Sequence, residues 1–275
     1  AGSSGPILGC TATANDRVVH DVAVQLGAEL TTFRGPLRRD GLALAAVPLD
    51  RQAERLAWLA ETVPSLEGSG IVYCLTVRDV QNVAEWLRTQ GIAADGYWGG
   101  LDNDDRLAAE QRLKSNETKV LVATTALGMG YDKPDLSFVV HFQSPGSPVA
   151  YYQQVGRAGR ALKRSHGVLL RGLEDEQIQD FFIERAFAQE HIVRDVIAAF
   201  DRSDLPLSLI RVQNALNLKM GTLELVVKQL DVDGALRRVG ATSYERTLQP
   251  WDYPSARIDD VTNARRAEQQ AMRDY

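Results

Sequence analysis

Residues 119–141 read KVLVATTALGMGYDKPDLSFVVH, and this stretch decides the predicted fold. It contains two short apolar runs, residues 119–123 and 136–141, joined by a segment that includes Gly, Thr and Pro. Neither run alternates strictly between apolar and polar residues, which is typical of strands covered on both faces of a parallel sheet. The stretch therefore predicts two buried strands.

Similar apolar runs recur on both sides of this stretch, with amphipathic segments between them. Predicted strands cover residues 42–49, 70–75, 92–97, 119–123, 136–141 and 167–170, and predicted helices cover residues 51–62, 79–90, 102–114 and 149–155. Gly91 directly follows one of these helices, as a glycine at a helix C-terminus does. Strands that alternate with helices form βαβ units, so residues 41–172 are predicted to be an α/β domain with a parallel sheet. Ligands of such sheets bind at the carboxyl ends of the strands.

The pattern changes beyond Leu173, where the strand-like runs stop. Residues 173–203 are predicted to be a helical bridge, with a long amphipathic helical stretch at 174–201. Residues 204–248 are predicted to be a winged-helix-like domain, because helix, turn, helix and strand follow one another at 209–216, 217–221, 222–230 and 235–239. The second of these helices is expected to begin near Gly221 or Thr222. Residues 249–275 are predicted to be a charged helical tail behind Trp251 and Tyr253.

The composition is that of an ordinary globular protein, with 44% hydrophobic residues, 24% charged residues and a formal net charge of −5. No apolar run is long enough to span a bilayer, so no membrane partner is expected. The two cysteines, Cys10 and Cys74, are too few and too far apart for a disulfide framework or a zinc site. We expect two buried, reduced thiols, no bound metal and a cytoplasmic location.

Residues 151–160, YYQQVGRAGR, carry the strongest indication of chemistry. Arg157 and Arg160 are three residues apart on a helical turn, so their side chains point the same way. Guanidinium groups bind phosphate oxygens through paired hydrogen bonds, and the adjacent glycines allow close approach. An arginine finger requires this arrangement and speeds phosphoryl transfer on the order of 10³- to 10⁵-fold. The alternative is a solvated arginine pair at a helix end.

This segment and four others, in matching order, resemble the motifs of superfamily-two helicases of the RecQ-like kind. Residues 151–160 are similar to motif six, residues 122–134 (VATTALGMGYDKP) to motif five and residues 70–78 (GIVYCLTVR) to motif four. Residues 96–101 (GYWGGL) are similar to the next family segment, and residues 9–14 (GCTATA) to motif three. The resemblance implies that residues 1–40 are the end of a first RecA-like lobe with its linker, and residues 41–172 the second RecA-like lobe.

The resemblance also implies a role for each matching residue. Arg160 would be the arginine finger, Arg157 its partner on the nucleotide phosphates, and Gln153 the link between their helix and the nucleotide or its water. Asp132 and Gly130 would lie at the nucleotide, with Asp132 near the ribose or the finger. The residues implied to contact the tracked single strand are Thr76, Arg78 and Thr124, and those implied to couple the nucleotide site to the strand are Thr11 and Thr13.

Simpler interpretations exist for several of these residues. Thr124 follows a strand and could cap the next turn, Asp132 could be a plain turn residue, and Arg78 could be a surface charge on a helix. In the winged-helix-like domain, five cations could bind DNA phosphates: Arg211, Lys219, Lys228, Arg237 and Arg238. The alternative there is a winged helix used for protein contact.

Several family features have no counterpart in the sequence. There is no G-x-x-x-x-G-K-[ST] loop and no D-E-x-H box. Both belong to the first motor lobe, so ATP and Mg²⁺ would be held largely by that lobe, and this chain alone is expected not to hydrolyse ATP. The four cysteines of a typical RecQ zinc site are missing after Arg160, so no zinc is expected. Trp98 stands where the family often has His.

The sequence therefore predicts the C-terminal motor half of an ATP-dependent DNA helicase. Its expected partners are single-stranded and forked DNA and the first RecA-like lobe of the same enzyme, with 3′ to 5′ movement implied by the family. Two alternatives remain, a non-catalytic nucleic-acid-binding module with this fold and an RNA helicase that shares the motor.

Overall fold

The computed structural model describes residues 9–10, 19–20, 22–24, 31–35, 39–128 and 131–275. Thr11, Thr13 and Gly130 lie outside the described residues, and their roles stay predictions. The chain divides into two compact units, Ala1–Ile178 together with Glu268–Tyr275, and Gln179–Ala267. Each unit is described by itself.

The first unit is built on six parallel strands. They are β1 (Leu42–Pro48), β2 (Ser69–Tyr73), β3 (Ala94–Tyr97), β4 (Val120–Ala123), β5 (Leu136–His141) and β6 (Ser165–Arg171). Their order in the sheet is β1-β6-β5-β2-β4-β3, and every pairing is parallel. The helices between them are α1 (Gln52–Thr62), α2 (Val77–Thr89), α3 (Asn103–Lys114) and α4 (Pro148–Val155). The predicted α/β fold with a parallel sheet is confirmed.

Helices cover both faces of this sheet, as the apolar runs predicted. Every residue of β4 is fully buried. Successive side chains of a strand enter opposite faces. Val72 and Cys74 join the core beneath α1 and α2, whereas Ile71 and Tyr73 join the core beneath α3 and α4. The sheet is thus the middle layer of three, and its carboxyl edge presents the loops that follow β2, β4 and β5.

The sequence sets the ends of the helices that flank this edge. Thr76 is the N-cap of α2, and its hydroxyl oxygen accepts a hydrogen bond from the backbone N–H of Asp79. Ser147 caps α4 in the same way, with Pro148 in the first turn. Gly91 follows α2 with φ of +76°, so the expected glycine stop is confirmed.

The second unit packs helices against a small antiparallel sheet. Its helices α6 (Glu190–Asp201), α7 (Leu209–Leu216) and α8 (Met220–Val232) surround strands β7 (Leu207–Ser208), β8 (Leu236–Arg238) and β9 (Ser243–Arg246). These strands pair in the order β7-β9-β8. Their common core includes Val193, Val226 and Leu230. Two helices continue from one unit into the other, α5 (Glu174–Glu184) and α9 (Ser255–Asp274).

The structure corrects the expected start of one helix in this part of the chain and adds two details. The stretch 174–201 is two helices, α5 and α6, because the chain is extended at Gln189 and the Ala188 carbonyl accepts from the Tyr253 hydroxyl (2.9 Å). Helix α8 begins at Met220 with Lys219 as its N-cap, two residues before the expected start. Strands β7 and β9 were not expected, because one is two residues long and the other is polar and half-buried.

The two cysteines differ in exposure. Cys74 is buried next to the end of β2, but Cys10 is exposed, so the expectation of two buried thiols is wrong for Cys10. Gly9 and Cys10 themselves form neither strand nor helix. Among the described residues, no helix has both the length and the apolar composition needed to cross a bilayer.

Candidate functional site

The turn after α4, residues 156–160, places the two arginines of the candidate site, and we call it the arginine turn. Gly159 has φ of +71° and donates its N–H to the carbonyl oxygen of Leu136 (2.7 Å). A Cβ at Gly159 would lie 2.1 Å from the hydroxyl oxygen of Ser165. The turn therefore needs glycine at this position, for its backbone conformation and for space. Arg39 adds a bond to the Gly156 carbonyl (2.6 Å), which helps to end α4.

Arg160 lies at the surface, paired with Asp132. Its guanidinium donates to the Asp132 carboxylate at 2.9 Å, and the side chains are 47% and 56% exposed. Two residues that the family resemblance assigned to the nucleotide are thus in direct contact, although 28 residues separate them. An exposed ion pair of this kind orients the guanidinium but is easily broken, because such pairs contribute only roughly 0–1 kcal/mol to stability. A phosphate oxygen can therefore compete for the guanidinium.

Arg157 is half-buried and engaged with backbone. It donates to the carbonyl oxygens of Tyr131 (3.1 Å), Leu127 (3.3 Å) and Gly128 (2.9 Å). These carbonyls belong to residues 124–135, which connect β4 to β5 and which we call the crossover segment. Arg157 thus holds the crossover segment against α4 in this structure, and its predicted contact with nucleotide phosphates stays a prediction.

Thr76, Arg78 and Thr124 lie at the carboxyl edge of the sheet. Tyr73 of β2 and Ala123 of β4 are register partners, so the residues that follow both strands emerge side by side. The Thr76 hydroxyl donates to Asp79 (2.6 Å) in addition to capping α2, and the Thr124 hydroxyl oxygen accepts from the N–H of Ala126 (3.3 Å). The two threonines therefore order their turns, and Arg78 projects into solvent from the first turn of α2.

A buried polar network behind this edge was not anticipated from the sequence. Gln143 follows Phe142, just beyond the end of β5. Its side-chain oxygen accepts from the N–H of Leu75 (2.8 Å), and its side-chain amide donates to Asp79 (3.0 Å). Gln52 of α1 also donates to Asp79 (3.0 Å). The network fixes the turn that presents Thr76. The sequence signal that could have indicated it is a glutamine directly after an apolar strand, because an amide that is buried there requires partners.

His141 occupies the core between the sheet and α4. Its ring stacks on Tyr73 with centroids 5.5 Å apart, and its Nε2 lies 2.7 Å from the side-chain oxygen of Gln154. Burial lowers the pKa of His141 to about 4, and the hydrogen bond to Gln154 opposes this only in part. Burial likewise raises the pKa of Tyr73 to about 12, although the charge of Arg157 lowers it. Burial thus favours the uncharged forms of both rings.

The remaining predicted residues lie apart from these groups. Gln153 is exposed on the outer side of α4. Lys219 and Arg237 belong to the second unit, where Lys219 is exposed at the start of α8 and Arg237 pairs with Glu245 across the β8–β9 hairpin. The structure therefore brings Asp132 into contact with Arg160, and it places Thr76 and Thr124 after two neighbouring strands at the carboxyl edge of the sheet. Within the described residues, no group of three His, Cys, Asp or Glu side chains could hold a metal ion.

Comparison with known proteins identifies the same region. Residues 54–162 match the family described as the helicase conserved C-terminal domain. The chain is 33% identical over 201 residues to the probable ATP-dependent DNA helicase RecS of Bacillus subtilis. The aligned region covers 72% of this chain and 40% of that protein. It is 34% identical over 192 residues to the ATP-dependent DNA helicase RecQ of the same organism. This aligned region covers 69% of this chain and 32% of that protein.

A solved structure agrees with the fold. Saccharomyces cerevisiae Dbp5, bound to RNA and ADP BeF3, matches with a TM-score of 0.54 and 21% identity, over 62% of this chain and 48% of that one. This likeness concerns the fold alone. The chain spans less than half the length of the two curated relatives described above. Residues 54–162 therefore match a helicase conserved C-terminal domain, and the chain is similar to ATP-dependent DNA helicases that include RecS and RecQ.

Proposed function

We propose that the chain is the second motor half of an ATP-dependent DNA helicase, in which Arg160 acts as the arginine finger. The observation that carries the proposal is the exposed Arg160–Asp132 pair beside the crossover segment. A guanidinium held weakly at a surface can exchange its carboxylate partner for a phosphoryl oxygen when a nucleotide is presented by another lobe. In the helicases that this chain resembles, that lobe supplies the phosphate loop and the Mg²⁺ site.

Arg160 would act on charge that develops during hydrolysis. As water attacks the γ-phosphate, negative charge spreads over the equatorial oxygens, and a fixed guanidinium lowers the barrier. Asp132 would hold the guanidinium oriented until the nucleotide arrives, and Gln153 would contact the nucleotide or its water from the outer side of α4. None of these steps needs a residue from the second unit.

Coupling to DNA would run through the crossover segment. It contains Thr124 at one end and Asp132 near the other, and Arg157 grips the carbonyls between them. A nucleotide that binds Arg157 or Arg160 in place of their present partners would therefore shift the segment that positions Thr124. Thr76, Arg78 and Thr124 would contact the backbone of the single strand at the carboxyl edge, which suits their position beside one another.

The second unit would contribute a further DNA contact. The order α6, β7, α7, α8, β8, β9 and the three-stranded antiparallel sheet support a winged-helix-like domain. Lys219 at the start of α8 would bind a phosphate, and Arg237 would do so from the hairpin once it leaves Glu245. Both contacts would add affinity without reading sequence.

ATP turnover of the full-length protein tests this proposal. We expect hydrolysis to be stimulated by single-stranded DNA, and a duplex with a 3′ single-stranded tail to be unwound in preference to one with a 5′ tail. We expect the 275-residue chain by itself to show no turnover. Stimulation by RNA but not DNA would make it an RNA helicase, and DNA binding without hydrolysis by the full-length protein would make it a non-catalytic module.

A further inference from the structure

The last two turns of α9 pack on the first unit, on the same face of the sheet as α4. Met272 is 2% exposed and belongs to the core that includes Tyr151 and Val155. Gln269 is also buried, and its side-chain amide donates to the carbonyl oxygen of Glu176 (3.5 Å). We call residues 269–275 the clasp. The clasp is therefore part of the first unit.

Charged groups fix the clasp at its carboxyl end. Arg273 pairs with Glu176, at the start of α5. The guanidinium of Arg171, the last residue of β6, donates to the carbonyl oxygen of Arg273 (2.5 Å). The last carbonyls of a helix have no partner within the helix, and a cation there is favourable for the helix dipole as well. The clasp is therefore held by specific bonds in addition to apolar contact.

An aromatic row leads from the clasp to the centre of the sheet. The rings of Tyr275 and Tyr151 have centroids 5.3 Å apart, and Tyr151 is 6% exposed. The Tyr151 ring lies 5.1 Å from His141, which in turn stacks on Tyr73. Tyr151 is thus enclosed between the clasp on one side and the strand ends on the other.

The inward side of α4 determines where its outward residues point. Tyr151, Gln154 and Val155 face the core, whereas Gln153 is exposed and Arg157 leaves the end of the helix. Residues on one helix share a fixed angular relation, so a rotation or shift of the inward side moves Gln153 as well, and it moves the end of the helix from which the arginine turn starts. The core contacts of Tyr151 therefore bear directly on the direction of Arg157 and Arg160.

We propose that the clasp is a positioning element for the arginine turn, with Tyr275 and Met272 as positioning residues that act through Tyr151. They touch neither nucleotide nor DNA in this scheme, and they set the orientation of α4. The proposal rests on the proposed function of Arg160.

The test replaces Tyr275 in the full-length protein. Tyr275 is 52% exposed, so Tyr275→Ala removes the contact with Tyr151 without opening the core. We expect faster hydrogen exchange of the backbone amides of residues 149–156 and a fall in kcat of DNA-stimulated hydrolysis of about 10-fold, since small misplacements of catalytic groups cost up to about 10²-fold. We expect KM for ATP to stay unchanged. Arg273→Ala, which removes the pair with Glu176, should change both readouts in the same direction.

Two matched variants serve as controls. Tyr275→Phe keeps the ring and should retain parental exchange and kcat, and Gln270→Ala alters an exposed residue of the same helix and should leave both unchanged. If Tyr275→Ala showed parental exchange in residues 149–156, or parental kcat despite faster exchange, the proposal would be overturned. A parent protein that hydrolyses no ATP would instead refute the proposed function, and hydrogen exchange would then decide on the docking of the clasp by itself.

Discussion

Gly159 is the residue on which the geometry of the arginine turn depends most directly. We expect Gly159→Ala to lower the free energy of unfolding by about 1–3 kcal/mol, because a left-handed conformation is costly for alanine and the new Cβ would collide with Ser165. Gly146→Ala is a matched control, since no atom lies within 4 Å of its added Cβ. Urea unfolding of both variants checks this. Equal stability of the two would mean that Gly159 is not required by the turn.

His141 should make the stability of the first unit depend on pH. Burial lowers its pKa to about 4 from the ordinary value of 6.5, so between these values the unfolded chain binds a proton that the folded chain does not. The stabilisation is complete above pH 6.5 and is lost as the pH falls towards 4, by up to about 3 kcal/mol. Denaturant unfolding at pH 7.5, 6 and 4.5 should show this decline in the parent and a smaller one in His141→Gln. The same decline in both would refute the assignment.

Individual site residues were predictable only in part from the sequence. The spacing of Arg157 and Arg160 indicated chemistry, and the family resemblance placed Asp132 near the ribose or the finger, but neither indicated that Arg157 binds the carbonyls of Leu127 and Gly128. These contacts join residues 28 to 30 positions apart, and they exist only once the crossover segment lies against α4. Local pattern carries no information on such pairs.

At the scale of elements, Arg55 anchors helix α1 to the start of α5. It is fully buried, donates to the carbonyl oxygen of Phe142 (2.9 Å) and to Asp175 (3.2 Å), and pairs with Glu174. Asp175 also accepts from the N–H of Ser144 (2.8 Å), so one charge cluster joins α1, the loop before α4 and the start of α5.

Removing this arginine should be costly. We expect Arg55→Met to lower the free energy of unfolding by about 3–5 kcal/mol, because it leaves a buried carboxylate without its cation. Arg51→Met is the matched control: Arg51 pairs with Glu54 at the surface, and its loss should cost roughly 0–1 kcal/mol. Equilibrium unfolding compares the two. A cost for Arg55→Met no larger than that of the control would contradict the role of the buried cluster.

Elements with strong local signals were predictable, and elements defined by tertiary contact were not. The six strands of the parallel sheet each lie within two residues of their expected bounds, because every one is an apolar run between breakers. The break between α5 and α6 has no glycine or proline to mark it and depends on the bond from Tyr253 to Ala188. An arginine within an amphipathic helix, such as Arg55, is normally a surface residue, so its burial also escaped prediction.

At the scale of the whole molecule, the chain is organised around one sheet edge and one helix end. The carboxyl edge presents Thr76 and Thr124, the arginine turn presents Arg157 and Arg160, and the crossover segment joins the two sites. The sequence indicated both sites through their motifs. It did not indicate that the end of the charged tail packs in the core of the first unit, because Gln269 and Met272 are isolated among polar residues.

The central claim is that Arg160 stabilises the transferred phosphoryl group. In the full-length protein, Arg160→Ala should reduce DNA-stimulated ATP hydrolysis on the order of 10³-fold or more, while nucleotide and DNA affinities measured by fluorescence titration stay near parental values. The structure favours retained folding, since the pair with Asp132 that is lost is exposed. Parental turnover in Arg160→Ala would contradict the claim, as would a loss of activity explained entirely by weaker nucleotide binding.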